Sequence, residues 1–190
     1  MRFEKGHKEN TRRRIVDVAS KRFRADGAAA SGLAGIMTEA GLTNGAFYAH
    51  FDSKEALVKE AMVTALAHRR ENLEQDRKEE HDFESVIRNY LNVDHMLARE
   101  TGCPSAALLP EIGRQPKMTR AAYEDELSKF TEVLSSKLPA SVVASRKERS
   151  TAIFGLMVGT LQIARAVSTP ETASSILEGG VQAALLLARS

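Results

Sequence analysis

Residues 31–57, Ser-Gly-Leu-Ala-Gly-Ile-Met-Thr-Glu-Ala-Gly-Leu-Thr-Asn-Gly-Ala-Phe-Tyr-Ala-His-Phe-Asp-Ser-Lys-Glu-Ala-Leu, constrain the fold more than any other stretch of the chain. Leu33, Ile36 and Ala40 repeat at helical spacing, and Ser31 is placed to cap the helix they form. Gly32 and Gly35 weaken that helix by roughly 1 kcal/mol each relative to alanine, so packing must hold it. Gly41 tolerates positive φ where the helix has to stop. Thr43 or Asn44 then caps a short helix reaching to about Phe51, and Asp52 or Ser53 caps a third helix that begins with acidic residues suited to its positive end. A short helix, a glycine turn and a second short helix are the parts with which a protein presents one helix to the major groove of DNA. Asn44-Gly45 is also a strong hairpin turn when alternating apolar strands flank it. Here the upstream flank carries glycines at helical spacing and the downstream flank ends in a capping motif, which favours helix.

The rest of the chain also reads as helix. Residues 9–25 place Ile15, Val18, Ala19 and Phe23 on one face and stop at Gly27. Leu57, Val58, Ala61, Met62, Ala65 and Leu66 form the stripe of a helix spanning 53–77, and the polar stretch Arg69–Asp82 reads as its exposed end and a connector. Phe83, Val86, Ile87, Tyr90, Leu91, Met96 and Leu97 give one amphipathic helix over 83–99. Gly102-Cys103-Pro104 breaks the chain and restarts a helix with proline at its first position. Residues 117–138 form another helix, ended by Pro139. The segments 146–167 and 171–189 are long, apolar and rich in small residues, with Gly155, Gly159, Gly179 and Gly180 allowing close helix approach. Either they are the domain's own core, or they pair with a second copy into four helices; their apolar surface exceeds what one subunit should hide, which favours the homodimer.

Composition and charge narrow the classes. The chain is 43% hydrophobic and 27% charged over 190 residues, which suits one large domain or two smaller ones and not a disordered segment. It has no apolar run long enough for a membrane span and no secretory leader pattern, and one cysteine, Cys103, fits a reducing cytoplasm. Net charge is only +2, but residues 1–24 hold nine basic and three acidic side chains. A basic end on a near-neutral body suits a protein that touches phosphates with one end, though a solvated basic tail is common. No phosphate loop, nucleophile elbow or His-Glu-x-x-His helix occurs, and His7, His50, His68, His81 and His95 show no metal-ligand spacing. The chain is therefore read as no enzyme, with no metal and no cofactor.

A recognition helix needs one polar side and one anchored side. Thr43, Asn44, Tyr48 and His50 can face outward, while Leu42, Phe47 and Phe51 anchor the other side. Gly45 and Ala46 let the backbone approach the groove. Asn44 can read adenine or simply cap; Thr43 and Tyr48 carry hydroxyls suited to phosphate oxygens; Lys54 adds charge near a helix N-terminus.

With these residues in place, residues 9–66 resemble the DNA-binding region of the TetR family of bacterial transcription regulators. The match lies in Ala40-Gly41-Leu42-Thr43, in Tyr48-Ala49-His50-Phe51 and in Lys54-Glu55-Ala56-Leu57, with Ala19, Phe23 and Gly27 upstream. Met37 departs from the family's usual small alanine, and Gly32 and Gly35 replace better helix formers. The resemblance implies an all-α fold of about nine helices. Residues 1–55 would form a helix-turn-helix domain and 56–190 a ligand-binding and dimerisation domain. It further implies a cytoplasmic homodimer joined through 146–167 and 171–189, bound to double-stranded palindromic operator DNA and released by a small molecule. The implied DNA contacts are Ser31, Thr43, Asn44, Gly45, Tyr48, His50 and Lys54. Family position places the ligand among Tyr90, Met96, Leu109, Tyr123, Phe130, Phe154 and Met157, with His95, Arg99, Gln162 and Arg165 as polar candidates. Cys103, in a loop before a helix start, joins the candidates either as a thiol that senses electrophiles or oxidants or as a buried, idle one, and the second reading is favoured.

Overall fold

The computed structural model describes residues 5–78, 82–139 and 146–189, and within them the chain is helical with no strand. The start of the basic segment, residues 1–4, and residues 79–81 of the polar connector, with His81, lie outside the described residues. Helix α1 spans Lys5–Asp26 and α2 spans Leu33–Glu39; a 3-10 helix covers Asn44–Ala49. They are followed by α3 (Lys54–Lys78), α4 (Phe83–Tyr90), α5 (Val93–Leu97) and α6 (Pro104–Ile112). The chain closes with α7 (Lys117–Ser136), α8 (Arg146–Ala166) and α9 (Pro170–Arg189). None of the described helices is long and apolar enough to cross a membrane.

Two apolar clusters hold the molecule together. The first buries Ile15, Ala19 and Phe23 of α1 against Ile36, Met37, Phe47, Phe51, Leu57 and Met62, and is closed from beyond the head by Leu108 and Ile112 of α6. The second gathers Ile87, Tyr90, Leu134, Ile153, Met157, Leu161, Leu177 and Val181. Helix α3 feeds both, Leu57 to Leu66 going to the first and Leu73 to the second, so it is the rod on which head and body are mounted.

Several expected boundaries change for local reasons. Residues 83–99 are two helices, because Asn92 interrupts them: its Nδ2 donates to Arg88 O and Asn89 O, and its Oδ1 accepts from His95 N at 2.7 Å to start α5. The expected exposed end of α3 is partly covered: Leu73 is buried, and Arg70 pairs with Glu74 at 2.8 Å and with Glu126 of α7 at 3.7 Å. Ser31 is not a cap. Gly32 holds that position without a side-chain bond, and the Ser31 hydroxyl donates back to Gly27 O at 2.8 Å. Gly35 is explained by α1: the Arg22 guanidinium crosses it to reach Glu39 at 2.6 Å, and a Cβ there would meet Arg22 Nη1 at 2.7 Å.

Gly27 ends α1 with φ of +86°, and Glu111 of α6 reaches across to accept from Ala28 N at 2.9 Å. A Cβ at Gly27 would lie 2.7 Å from Glu111 Oε1. Gly27→Ala is expected to cost about 1–2 kcal/mol for the left-handed backbone alone, with a further loss as Glu111 is pushed aside. Gly45→Ala, in open space, should leave stability undiminished. Urea-melt midpoints check both; equal midpoints for Gly27→Ala and the native chain would contradict this reading.

Candidate nucleic-acid interface and effector cavity

The segment after Gly41 is short, and its glycine disfavours an α-helix, so it closes as a single 3-10 stretch, a form used in short pieces. Thr43 is its N-cap and His50 its C-cap. Phe47 is fully buried, its ring stacked on Phe51 at 5.6 Å and edge-on to Tyr48 at 5.2 Å. Tyr48 is 71% exposed, and Thr43, Asn44 and Gly45 are exposed with it. One polar face is thus presented to solvent by a core-anchored segment.

Arg12 of α1 braces this segment. Its guanidinium donates to His50 O, pairs with Glu60 of α3 and lies 4.1 Å over the Phe51 ring. No sequence pattern marked Arg12; in the sequence it is one cation of a basic run, and only the fold gives it three partners. His50 is half-buried with its Nδ1 turned inward, so it is not free on the outer face. Desolvation, then the charges of Lys8 and Arg12, pull its pKa below the usual histidine value, which favours the neutral ring. Lys54 opens α3, half-buried; Ser53 Oγ caps that helix by accepting from Ala56 N at 3.1 Å. Ser31, at 2% exposure, lies inside the head and offers nothing to a groove.

In the body, Tyr90, Phe130 and Met157 line a cavity of about 70 Å³, with Arg69, Asn72, Leu73, Val86, Asn89 and Leu134. Phe154 stands behind it, 4.7 Å from Phe130 and 6.3 Å from Tyr90. The sequence missed Arg69, whose guanidinium sits 5.2 Å over the Tyr90 ring, because its helix end reads as solvated. Burial, followed by the neighbouring Cys103, drives the Tyr90 hydroxyl pKa well above its ordinary value.

Leu109 and Tyr123 do not join that cavity. Leu109 is on the outer side of α6, and Tyr123 packs against the head cluster with its hydroxyl 3.2 Å from Ser105 Oγ. His95, Met96, Arg99, Cys103, Gln162 and Arg165 gather instead around the α5–α6 loop. His95 accepts from Cys103 N at 2.9 Å and its Nδ1 meets Tyr90 O at 2.6 Å, so Cys103 is the buried N-cap of α6. Arg165 donates to Met96 O and His95 O, Arg99 approaches Arg165 O at 3.5 Å, and Gln162 donates to Ala106 O.

Burial, then the charge of Arg69 and, more weakly, Arg165, lowers the His95 pKa to about 4; the bond to Tyr90 O opposes them. The unfolded chain protonates this imidazole near 6.5. Its contribution is therefore full above that pH and fades as the pH falls toward 4, by about 3 kcal/mol. Urea melts of native and His95→Gln protein at pH 7.5 and 5 should show the native chain losing more stability; parallel losses would contradict a neutral buried His95.

Residues 15–61 match the model of the bacterial regulatory proteins of the tetR family. Among solved structures, reduced NemR of Escherichia coli is similar, with TM-score 0.76, 18% identity and coverage of 92% of this chain and 95% of that one. A TetR-family transcriptional regulator from Agrobacterium tumefaciens aligns with TM-score 0.72 and 20% identity over 93% and 98% of the two chains. FadR of Bacillus subtilis, solved with stearoyl-CoA, aligns with TM-score 0.65 and 18% identity over 89% and 97%. No curated protein shows significant sequence similarity to the chain.

Proposed function

From the premise that this chain belongs, by its N-terminal domain, to the tetR family of bacterial regulatory proteins, we propose that it is a ligand-responsive repressor that binds a palindromic operator as a homodimer. The observation that carries this reading is the exposed face of Thr43, Asn44 and Tyr48 on a segment locked by Phe47 and Arg12. That face is small and polar, and a head of this size can seat it in a major groove. We assign the DNA-binding domain to residues 1–55, coupled through α3 to a ligand-binding and dimerisation domain at 56–190. DNA contacts fall to Thr43, Asn44, Gly45 and Tyr48, with Lys54 supplying charge to a phosphate. The protein acts in the cytoplasm, as DNA-bound regulators of bacteria must.

Two features support pairing and effector control. Ile163 on α8 and Leu186 on α9 are 57% and 69% exposed, and Ala152, Gly155 and Gly179 lie exposed on the same two helices, leaving an apolar face of low relief. Effector control is supported by the lined cavity in the body and by FadR, whose structure holds stearoyl-CoA. At about 70 Å³ the cavity is several times smaller than drug-sized sites of about 300 Å³ or more. A ligand entering there must move the walls, and α3 carries three of the lining residues, Arg69, Asn72 and Leu73, together with anchors of the head such as Leu57 and Met62.

Duplex titrations over a salt series test the assignment. Tyr48→Ala should weaken operator binding at least tenfold, and Lys54→Ala should weaken it while lowering the salt slope by about 1, the value for one phosphate no longer neutralised. Both variants should melt within about 0.5 kcal/mol of the native chain, as surface changes do. Native affinity in both variants would contradict the proposed interface.

A further inference from the structure

Many of the arginines fall into two groups. Arg12, Arg22, Arg70 and Arg88 each pair with a carboxylate. Arg24, Arg69, Arg99 and Arg165 form no ion pair among the described residues, and all four surround the α5–α6 loop. Arg24 spends its donors on Glu100 O and Ser20 Oγ, and Arg165 on two backbone carbonyls. Burial lowers the pKa of both, as it does for cations removed from water with no counter-ion.

Two of these four, Arg24 and Arg69, line one open cleft. Between the C-terminal half of α1, the middle of α3 and residues 101–102 lies a cleft of about 450 Å³. Lys21, Arg24 and Arg69 line it, with Ser20, Thr64, His68, Asn72 and Thr101 as further polar groups, and among the described residues Asp17 is the one carboxylate in its lining. Gly102 lines it too; a Cβ there would meet Ala98 O at 2.7 Å and Arg165 Nη2 at 2.8 Å, so Arg165 packs directly against the backbone at the edge of the cleft. Three cations against one carboxylate, in a cleft of small-molecule size, fit an oxyanion.

We infer that this cleft binds a small polyvalent oxyanion, phosphate- or carboxylate-bearing, and that its occupancy fixes α1 against the body. Lys21 and Arg24 belong to the helix that braces the recognition segment through Arg12, which lies about 14 Å from Lys21 and about 18 Å from Arg24 along the same axis. An anion clasped between α1, α3 and the loop biases the position of the head, and by linkage it changes DNA affinity. The regulatory half of this inference rests on the reading of the chain as a ligand-responsive DNA-binding protein; the binding half does not.

Calorimetric titration of the full chain with pyrophosphate and with citrate, against sodium chloride at matched ionic strength, tests it. The native chain should bind at least one probe with a dissociation constant below about 1 mM, a modest affinity for a charge-lined site. Binding of pyrophosphate alone or of citrate alone identifies the headgroup. Lys21→Gln and Arg69→Gln, checked for native helicity, should weaken that binding at least tenfold, while Arg120→Gln on the exposed side of α7 should not. Duplex binding is then measured with and without the bound probe, and a change in affinity is expected. Flat isotherms, or equal binding by native and Arg69→Gln protein, would overturn the site. If the chain holds DNA but neither probe, the inference fails and the regulatory reading stands. If it holds a probe but no DNA, the site stands and the regulatory reading fails.

Discussion

Phe47→Ala is expected to destabilise the head by about 3–5 kcal/mol and to abolish sequence-specific DNA binding. Phe47 is fully buried, and it is the buried anchor inside the segment Asn44–Ala49. Its ring holds Phe51 by stacking and Tyr48 by an edge contact, so truncation opens a cavity and frees both neighbours. A 3-10 stretch of six residues has little stability of its own, so the loss cannot be absorbed locally. Phe47→Leu, which conserves more volume, should cost less and retain measurable binding. Chemical denaturation followed by circular dichroism, with duplex titration on the same samples, checks the pair. Native affinity in Phe47→Ala would show that the segment needs no internal anchor.

The second large effect is expected at the other end of the molecule. Ile163→Asp combined with Leu186→Asp should leave the protomer folded and reduce operator affinity by about a hundredfold or more. In a single chain both side chains are exposed, so aspartate there has little to disturb. In a dimer through α8 and α9 the same positions are covered, and two unpaired carboxylates per subunit would be desolvated. Separated heads lose the gain from bivalent engagement, which commonly spans about 10²–10⁴. Sedimentation should give a native mass of twice 20.8 kDa and a variant mass near 20.8 kDa. A native chain that runs as a monomer, or a variant that dimerises normally, would contradict the pairing.

The sequence carried the parts of this fold that depend on local rules. Gly27 reads as a helix stop and Gly41 as a helix end that tolerates positive φ, and both adopt positive φ, at +86° and +69°. Pro104 opens α6 as a first-turn proline should. What could not be read depends on contacts distant in sequence. Asn92 divides the expected single helix because its side chain satisfies backbone groups on both sides, a choice that periodicity does not register. Arg69 and Leu73 looked solvated on a polar helix end until α4 and α7 covered them. Ser31 has the composition of a cap, but its hydroxyl found Gly27 O first.

The two site readings divide along the same line. The outward face of Thr43, Asn44 and Tyr48 was legible because a short helix with two phenylalanine anchors has one free side. The residues proposed to hold a ligand were legible only as a neighbourhood. Tyr90, Phe130 and Met157 meet at one cavity, His95, Cys103 and Arg165 meet at another place, and Leu109 and Tyr123 meet neither, since α6 turns Leu109 toward solvent while Tyr123 packs toward the head. Side-chain type cannot encode which way a helix is rotated when both of its faces are apolar.

The most direct measurement is selection of bound duplexes from a random pool by the full chain at low ionic strength. The expected result is enrichment of a two-fold symmetric sequence with half-sites about one helical turn apart or slightly more, with affinity that falls steeply as salt rises. A pool that emerges unenriched, with no duplex retained even at low salt, would contradict the proposed role in DNA binding.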